Sequence, residues 1–208
     1  MAQSLASLIR GGNPQAFHQA IQQLCDDSEP IPSLENETFR ELNLAAYDFS
    51  GLNFTNAEFE SCTLTEVNFL GCTLDGAYFN GTTMFSCRLD ENSADGLSVD
   101  SCTLSKCELG SLQLDNCEWT DCQFNDCVLS GLRGADINFE RLTFKRGRWV
   151  NVNFESGELS YVTLRSLSVN ECDLSELDAS HCYLVDVEQE AAKLPDGFSE
   201  KSGRRQTF

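Results

Sequence analysis

The sequence of 208 residues is poor in cations, in histidine and in long apolar runs. It has 14 Lys and Arg against 33 Asp and Glu, and a net charge of −19 argues against binding to nucleic acid or to an anionic membrane. No stretch approaches the roughly 20 apolar residues of a membrane span, and the N-terminus has no cationic segment followed by an apolar core. We therefore expect a cytoplasmic protein that binds neither membranes nor nucleic acid directly.

The sequence also lacks the residue spacings of common catalytic and metal sites. His18 and His181 are the only histidines, and neither has a zinc-type or triad spacing. There is no Cys-x-x-Cys pair and no glycine-rich phosphate loop. We predict a protein that is not an enzyme and has no metal or cofactor site.

A period of five residues dominates the rest of the chain. From Phe39 to Leu184 there are thirty consecutive positions five apart, and all of them are apolar except Gly134. The position two residues earlier is also mostly apolar, with exceptions at Thr82, Asn92, Gly147 and Gly157. Neither a helix nor a flat strand has this period, whereas a chain that turns a corner every five residues does. The repetition predicts a solenoid.

Ten of the eleven cysteines occupy one position of the five-residue frame. A residue type confined to one structural position is being selected for its size, so we interpret these cysteines as reduced, buried, small hydrophobic residues. Free thiols in this number favour a reducing compartment. Parallel side-chain directions disfavour a disulfide between Cys102 and Cys122, or between Cys107 and Cys127.

Individual pentads resemble those of the pentapeptide repeat proteins. Cys62-Thr-Leu64-Thr-Glu and Cys72-Thr-Leu74-Asp-Gly follow the family pattern of Ala or Cys, a polar residue, Leu or Phe, and two more polar residues. The resemblance covers residues 37 to 187 and implies an all-β fold, a right-handed quadrilateral parallel β-helix with four pentads per coil. Thirty pentads then give about 7.5 coils, or a rod about 36 Å long at the usual strand spacing.

The two ends of the chain lie outside the repeat. Residues 1–35 read as a helical cap and linker, with one helix ending at Gly11-Gly12 and a second beginning at Asn13-Pro14 and ending near Cys25. A partner-recruiting arm is the alternative role for this segment. Residues 36–187 form the predicted β-helix. Residues 188–208 are expected to form a short cap, with a helical turn or two between Val187 and Leu194, and then a mobile tail.

Two irregularities interrupt the pentad pattern. Asn92 and Ala94 occupy inward positions between Asp90 and Gly96, which suggests a bulge or a small excursion of the chain. Gly134 lies one coil before Phe154, so we interpret the glycine as a packing compensation for the large ring.

Four pentads per coil place residues twenty apart in one column. One side of the rod then carries Asp75, Asp95, Asp115 and Glu155, and we expect the three aspartates to repel one another because no cation lies in their column. The adjoining side includes Glu58, Glu60, Asp100, Glu118 and Asp121. The side opposite the aspartates is close to neutral and holds Lys106, Lys145, Arg146 and Arg165. These nine carboxylates are the predicted partner-binding residues, and the alternative is that they only provide solubility.

Three functions are compatible with this surface. The first is a binding protein that docks its carboxylates onto a basic nucleic-acid-acting protein, such as a bacterial nuclease toxin, as an immunity protein would. The second is implied by the family, whose best-understood members resemble B-form DNA in shape and charge, bind DNA gyrase and protect it from quinolones or peptide toxins. The third is a structural adaptor or secreted effector scaffold.

Two further expectations concern assembly and the basic residues. Those gyrase-binding relatives dimerise through an apolar C-terminal helix, whereas residues 188–208 offer little apolar surface, so a monomer is expected. The basic run from Arg133 to Arg148 has two open interpretations, as a contact for an acidic patch on a partner or as a set of ion pairs with neighbouring carboxylates.

Overall fold

The computed structural model describes residues 4–201, which form two helices and an all-parallel β-solenoid of about eight coils. The helices are α1, Leu5–Arg10, and α2, Pro14–Asp26. The solenoid has four sides, as the resemblance to the pentapeptide repeat proteins implies. Neither helix is long and apolar enough to cross a membrane.

Three sides of the solenoid are parallel sheets, named here sheets A, B and C. Sheet A consists of Thr38–Arg40, Glu58–Glu60, Tyr78–Asn80, Ser98–Asp100, Glu118–Thr120, Ile137–Glu140, Gly157–Ser160 and Asp178–Ser180. Sheet B consists of Asn43–Ala45, Thr63–Thr65, Thr83–Phe85, Thr103–Ser105, Gln123–Asn125, Thr143–Lys145, Thr163–Arg165, Cys182–Val185 and Phe198–Glu200. Sheet C consists of Arg88–Asp90, Glu108–Gly110, Val128–Ser130, Arg148–Val150, Ser168–Asn170 and Glu188–Glu190.

The fourth side, named side D, is held by bridges between residues twenty apart, from Asn53 to Lys193. It contains the short strands Arg133–Gly134 and Asn153–Phe154. Along the chain the sides follow in the order A, B, C, D, so sheet B lies opposite side D and sheet A adjoins both.

Left-handed backbone conformations make the corners between the sides. Ser61, Glu66 and Gly71 have φ values of 52°, 55° and 64°, and the same region recurs at nearly every fifth residue. Such values are uncommon for residues other than glycine, asparagine and aspartate. The strands are therefore only two to four residues long, because the chain must turn before and after each one.

The large side chain at the centre of each pentad points into the rod and stacks on its equivalent one coil away. The rings of Phe59 and Phe79 are parallel and 4.8 Å apart, which is the spacing of neighbouring strands. Trp119 and Phe139 stack at 4.7 Å, and Phe124 and Phe144 at 4.4 Å. The core is therefore a set of ladders parallel to the rod axis.

Thr82 and Asn92 are polar residues at the small inward position, where most pentads have Cys or another apolar residue. Both side chains are buried, and Thr82 Oγ1 donates to Phe59 O over 2.9 Å, a bond that Cys102 Sγ makes to Phe79 O one coil later. Asn92 Oδ1 accepts from the backbone N–H of Cys72 at 2.7 Å. The prediction of a bulge between Asp90 and Gly96 is wrong, because Ser93 pairs with Thr73 and with Gln113 at the regular spacing of twenty residues.

Glycine at position 134 is required by the backbone of the previous coil. A Cβ atom there would lie 2.3 Å from Leu114 O, far inside van der Waals contact. Gly134 pairs with Phe154 on the following coil, as the sequence predicts. The atom that excludes a Cβ, however, is Leu114 O on the preceding coil.

The two N-terminal helices lie on the first coil, where the sequence predicts a cap. Asn13 caps α2 by accepting from Ala16 N at 3.0 Å. Phe17 is fully buried, with its ring 5.5 Å from Tyr47 and 5.4 Å from Phe49. His18 is half-buried, and its Nε2 accepts the N–H of Asp48 at 2.9 Å. The helix thereby pairs a backbone group at the open end of the solenoid.

At the other end the predicted helical turn from Val187 to Leu194 is wrong. The segment continues the solenoid as strand Glu188–Glu190, with Glu188 N bonded to Leu167 O and Lys193 N bonded to Cys172 O. Val187, Ala192 and Leu194 occupy the same inward positions as the residues twenty before them. The β-structure therefore extends past residue 187, the boundary predicted from the sequence.

The last coil is shorter than the others, because residue 198 pairs with residue 182, sixteen positions earlier. Gly197 makes this shortcut sterically feasible, since a Cβ atom would lie 1.8 Å from Ala179 O at the end of sheet A. Pro195 and Gly197 thus cut across one corner and cover the end of that sheet. Residues 202–208, most of the predicted mobile tail, lie outside the described residues.

Candidate partner-binding surface

The aspartates of side D form the column that the sequence predicts. Thr73, Ser93 and Gln113 are bridged in succession, which places Asp75, Asp95 and Asp115 two residues further along at the same position of successive coils. All three side chains are at least partly exposed. Ala135 interrupts the column, and Glu155 lies beyond it, exposed on the same side.

These carboxylates accept hydrogen bonds from the adjacent coil, from backbone N–H groups for Asp75 and Asp115 and from a side-chain amide for Asp95, which the sequence does not reveal. Asp75 Oδ1 accepts from Asp95 N at 3.1 Å and from Ser93 Oγ at 2.6 Å. Asp115 Oδ1 accepts from Ala135 N at 2.9 Å, and Asp95 Oδ1 accepts from Asn116 Nδ2 at 2.8 Å. The expected repulsion along the column is therefore offset by hydrogen bonds to each charged group.

Sheet A carries the second group of predicted carboxylates. Glu58, Asp100 and Glu118 flank its inward residues, and Asp121 lies at the corner that joins sheet A to sheet B. Arg40 pairs with Glu60 at 2.6 Å and lies 3.9 Å from Glu58.

Asp121 is also ion-paired. Arg141 binds both of its oxygens, with Nε–Oδ1 at 2.6 Å and Nη2–Oδ2 at 2.9 Å, and also contacts Glu140. This guanidinium lowers the pKa of the Asp121 carboxyl. Arg141 and Asp121 are twenty apart, so the spacing that aligned the acidic column could also have revealed this pair.

Six of the nine predicted residues form no ion pair within residues 4–201: Asp75, Asp95, Asp100, Asp115, Glu118 and Glu155. We call the first five the central carboxylates. They lie on side D and sheet A over three successive coils, and between residues 66 and 121 those two sides carry no Lys or Arg. The structure thus places a continuous acidic surface around one edge of the rod.

The sequence leaves two interpretations of the basic run, ion pairing and contact with a partner. The structure supports ion pairing for two of its residues and leaves three unpaired. Arg141 and Arg146 are paired, the latter binding both oxygens of Asp126 at 2.9 Å. Lys145 lies on sheet B, Arg148 on sheet C and Arg133 on side D, and none of these three has a carboxylate within 4 Å among the described residues.

The thiols of the solenoid belong to its interior. All eleven cysteines are free, and the ten in the pentad frame are buried while Cys25 is exposed. Burial raises the pKa of Cys72 and of Cys117 to about 12. Within residues 4–201, no three His, Cys, Asp or Glu side chains come together in a group that could hold a metal ion.

A four-sided parallel solenoid with one pentad per side and stacked aromatic ladders defines a distinct class of repeat protein. Two family models match the chain, one for pentapeptide repeats in eight copies over residues 39–90 and one for a pentapeptide repeat region over residues 117–194. The chain belongs to the pentapeptide repeat family.

A solved structure of this class shares the fold. A trypsin-treated variant of QnrB1, described as a plasmid-mediated fluoroquinolone resistance protein, has a TM-score of 0.60 at 16% identity, over 83% of this chain and 87% of that chain. HetL, a pentapeptide repeat protein involved in heterocyst differentiation regulation in the cyanobacterium Nostoc sp. strain PCC 7120, matches at 16% identity and a TM-score of 0.40, over 85% of this chain and 96% of that one. No curated protein sequence matches the chain.

Proposed function

We propose that this protein is a non-enzymatic binding protein whose central carboxylates dock onto a basic nucleic-acid-acting protein and block its access to nucleic acid. The observation that carries the proposal is the continuous acidic surface of side D and sheet A, which has no cation in its central coils. Carboxylates at strand spacing on a narrow rod present regularly placed negative charge, as a nucleic-acid backbone does. A nuclease toxin is the partner we favour, with this chain as its immunity protein.

The charge of the whole molecule supports fast association with such a partner. A net charge of −19 accelerates encounters with a basic surface, and this acceleration falls as salt screens the charges. We propose that the protein acts in the cytoplasm as a monomer. The ten buried free thiols favour a reducing compartment, which agrees with that location.

Replacement of Asp75, Asp95 and Asp115 by Asn tests the proposal. Asn keeps the Oδ1 acceptor that binds the neighbouring coil and removes only the charge, so the fold should survive. We expect association with the captured partner to slow by about tenfold at low salt. The measurement is affinity capture from the native host with wild-type and triple-Asn baits, followed by association kinetics of the recovered protein.

A matched control removes three carboxylates from sheet C through Glu108→Gln, Glu188→Gln and Glu190→Gln. This variant has the same net charge as the triple-Asn protein, so a difference between the two assigns the effect to side D. Equal association rates for the wild type and the triple-Asn variant would overturn acidic docking. A captured partner that is not basic would overturn the partner class.

DNA gyrase is the second candidate partner, because the family includes gyrase-binding members and because QnrB1, which shares the fold, is described as a fluoroquinolone resistance protein. If gyrase is the target, the purified chain should restore supercoiling by gyrase in the presence of a fluoroquinolone, and the triple-Asn variant should restore less. Supercoiling that stays inhibited at all concentrations of the chain would exclude gyrase protection.

A further inference from the structure

Sheet B differs from the other sides in having no Asp or Glu at the outward positions of its first eight strands. Its eight strands from Asn43–Ala45 to Cys182–Val185 present sixteen outward positions beside the inward residue, and none of them is Asp or Glu. The same number of positions on sheet A, from Thr38–Arg40 to Asp178–Ser180, holds seven. In a protein of net charge −19, this side is therefore free of outward negative charge up to its last strand, Phe198–Glu200, where Glu200 is exposed.

One column of this side consists mainly of threonine hydroxyls in register. The strands pair so that residues twenty apart are adjacent. The column contains Thr63, Thr83, Thr103, Gln123, Thr143 and Thr163. Hydroxyl and amide groups in a flat array can donate to or accept from a partner without the desolvation penalty of a charged group.

Two unpaired cations lie side by side in the second outward column of sheet B, which follows the threonine column by two residues. Lys145 and Arg165 are register partners on adjacent strands, and neither lies within 4 Å of a carboxylate in residues 4–201. Asp126, at the adjoining corner, has both oxygens occupied by Arg146. Like charges directly opposite on neighbouring strands are destabilising, so the fold retains this pair against its own stability.

Aromatic side chains border the same side of the rod. Tyr161 is 53% exposed and stacks on His181 at 4.6 Å, although both residues occupy left-handed corners with φ near 55°. A bulky exposed ring at a left-handed position is unfavourable for folding. Phe85 is 40% exposed, with Lys106 Nζ 5.2 Å from its ring centre. Exposed Tyr and Arg side chains are the usual anchors of protein interfaces.

We infer that sheet B around Lys145 and Arg165 is a second docking surface, for a protein segment that carries two neighbouring carboxylates. The two cations match two acidic side chains about one strand spacing apart, and Thr143 and Thr163 offer hydroxyl donors beside them. Duplex DNA fits less well, because a long polyanion would extend beyond the two cations onto the corner carboxylates Glu66 and Asp186.

This surface is separate from the acidic one. Sheet B lies opposite side D, so a partner bound to the aspartate column leaves sheet B open. The inference therefore goes beyond the proposed function, and it would give the rod two partners of opposite charge on opposite sides.

The test uses the full-length chain and a displayed library of random dodecapeptides. Peptides are selected on the wild type after depletion on the Lys145→Glu, Arg165→Glu double variant. We expect the selected peptides to contain at least two Asp or Glu residues and to bind the double variant at least about tenfold more weakly, because each reversed cation turns attraction into repulsion. Matched controls are Arg133→Glu and Arg148→Glu, which reverse unpaired cations on other sides and should leave binding unchanged.

The single variant Lys145→Glu separates binding from folding. It places Glu opposite Arg165 and creates a favourable cross-strand pair, so its melting temperature should be equal to or above that of the wild type while peptide affinity falls. A lower melting temperature would mean that Lys145 has a structural role, and would overturn the inference.

Three other results would also overturn it: selected peptides without acidic residues, selected peptides that bind both proteins equally, and a labelled DNA duplex that binds the wild type and is lost from the double variant. Loss of the acidic column through Asp75→Asn, Asp95→Asn and Asp115→Asn should not reduce peptide binding. The failure of this inference can therefore be told apart from the failure of the proposed function.

Discussion

At the scale of single residues, the cysteine position shows how one structural constraint selects a side chain. The inward position beside each corner admits a small group, and the thiol there also donates to a carbonyl of the previous coil, as Cys122 Sγ does to Val99 O at 3.4 Å. Thr82 makes the equivalent bond with its hydroxyl. Cysteine is therefore used for its size and its weak donor, which explains the abundance of cysteine without disulfides.

This interpretation predicts the reactivity of the thiols. In the native protein, N-ethylmaleimide at mildly alkaline pH should modify Cys25 alone, because the ten pentad cysteines are buried and burial opposes formation of the thiolate. Intact-protein mass spectrometry should show one adduct for the native wild type, none for native Cys25→Ser, and eleven for the denatured wild type. An adduct on a pentad cysteine in the native state would contradict the assignment of these residues to the core.

At the scale of elements, the final coil is the least regular part of the solenoid. It is shortened at Pro195 and Gly197, and its inward position on sheet C holds Gln189, where earlier coils have Val169 and Trp149. Lys193 Nζ binds Asp173 Oδ2 at 2.5 Å across the last two coils. With a polar residue in place of an apolar one, this coil depends more than the others on such surface contacts.

The ion pair gives the final coil a defined pH dependence. Lys193, helped by Ser175, lowers the pKa of Asp173 to about 2 from its usual 3.8. Because the pKa is lowered in the folded state, the stabilising contribution is present above about pH 4 and is lost as the pH falls toward about 2. Hydrogen exchange in residues 188–200, corrected for intrinsic rates, should increase across this window.

The matching variant is Asp173→Asn, which keeps an acceptor for Ser175 and lacks the titrating group. At pH 4, hydrogen exchange in the final coil of this variant should already be as fast, after correction for intrinsic rates, as it is in the wild type near pH 2. The same pH profile in both proteins would assign the loosening to another carboxylate.

At the scale of the whole molecule, the four sides distribute opposite charge to opposite faces. The central carboxylates occupy side D and sheet A, while sheet B presents threonines, Lys145 and Arg165. Because the inward residues are buried and almost all apolar, the charged side chains of the described solenoid lie on its outward columns and corners.

The core and the period of the fold could be predicted from the sequence because each pentad meets the same local environment. One inward position per side selects Phe or Leu, and one small position selects Cys or Ala, whatever the neighbouring coils contain. The failures occurred where that environment changes. Residues 187–194 read as helical turns, because Gln189 breaks the apolar pattern and only pairing with the preceding coil keeps the segment extended.

The sequence by itself determined the five-residue period and the burial of the cysteines, because both depend on a strict repeat. The resemblance to the pentapeptide repeat proteins, with four pentads per coil, added the four sides and the column that aligns Asp75, Asp95 and Asp115. Tertiary structure decided which of these charges are free. Arg141 binds Asp121, Arg40 binds Glu60, and the aspartates of side D accept N–H groups from the next coil, since side chains twenty residues apart meet only after the coils have stacked.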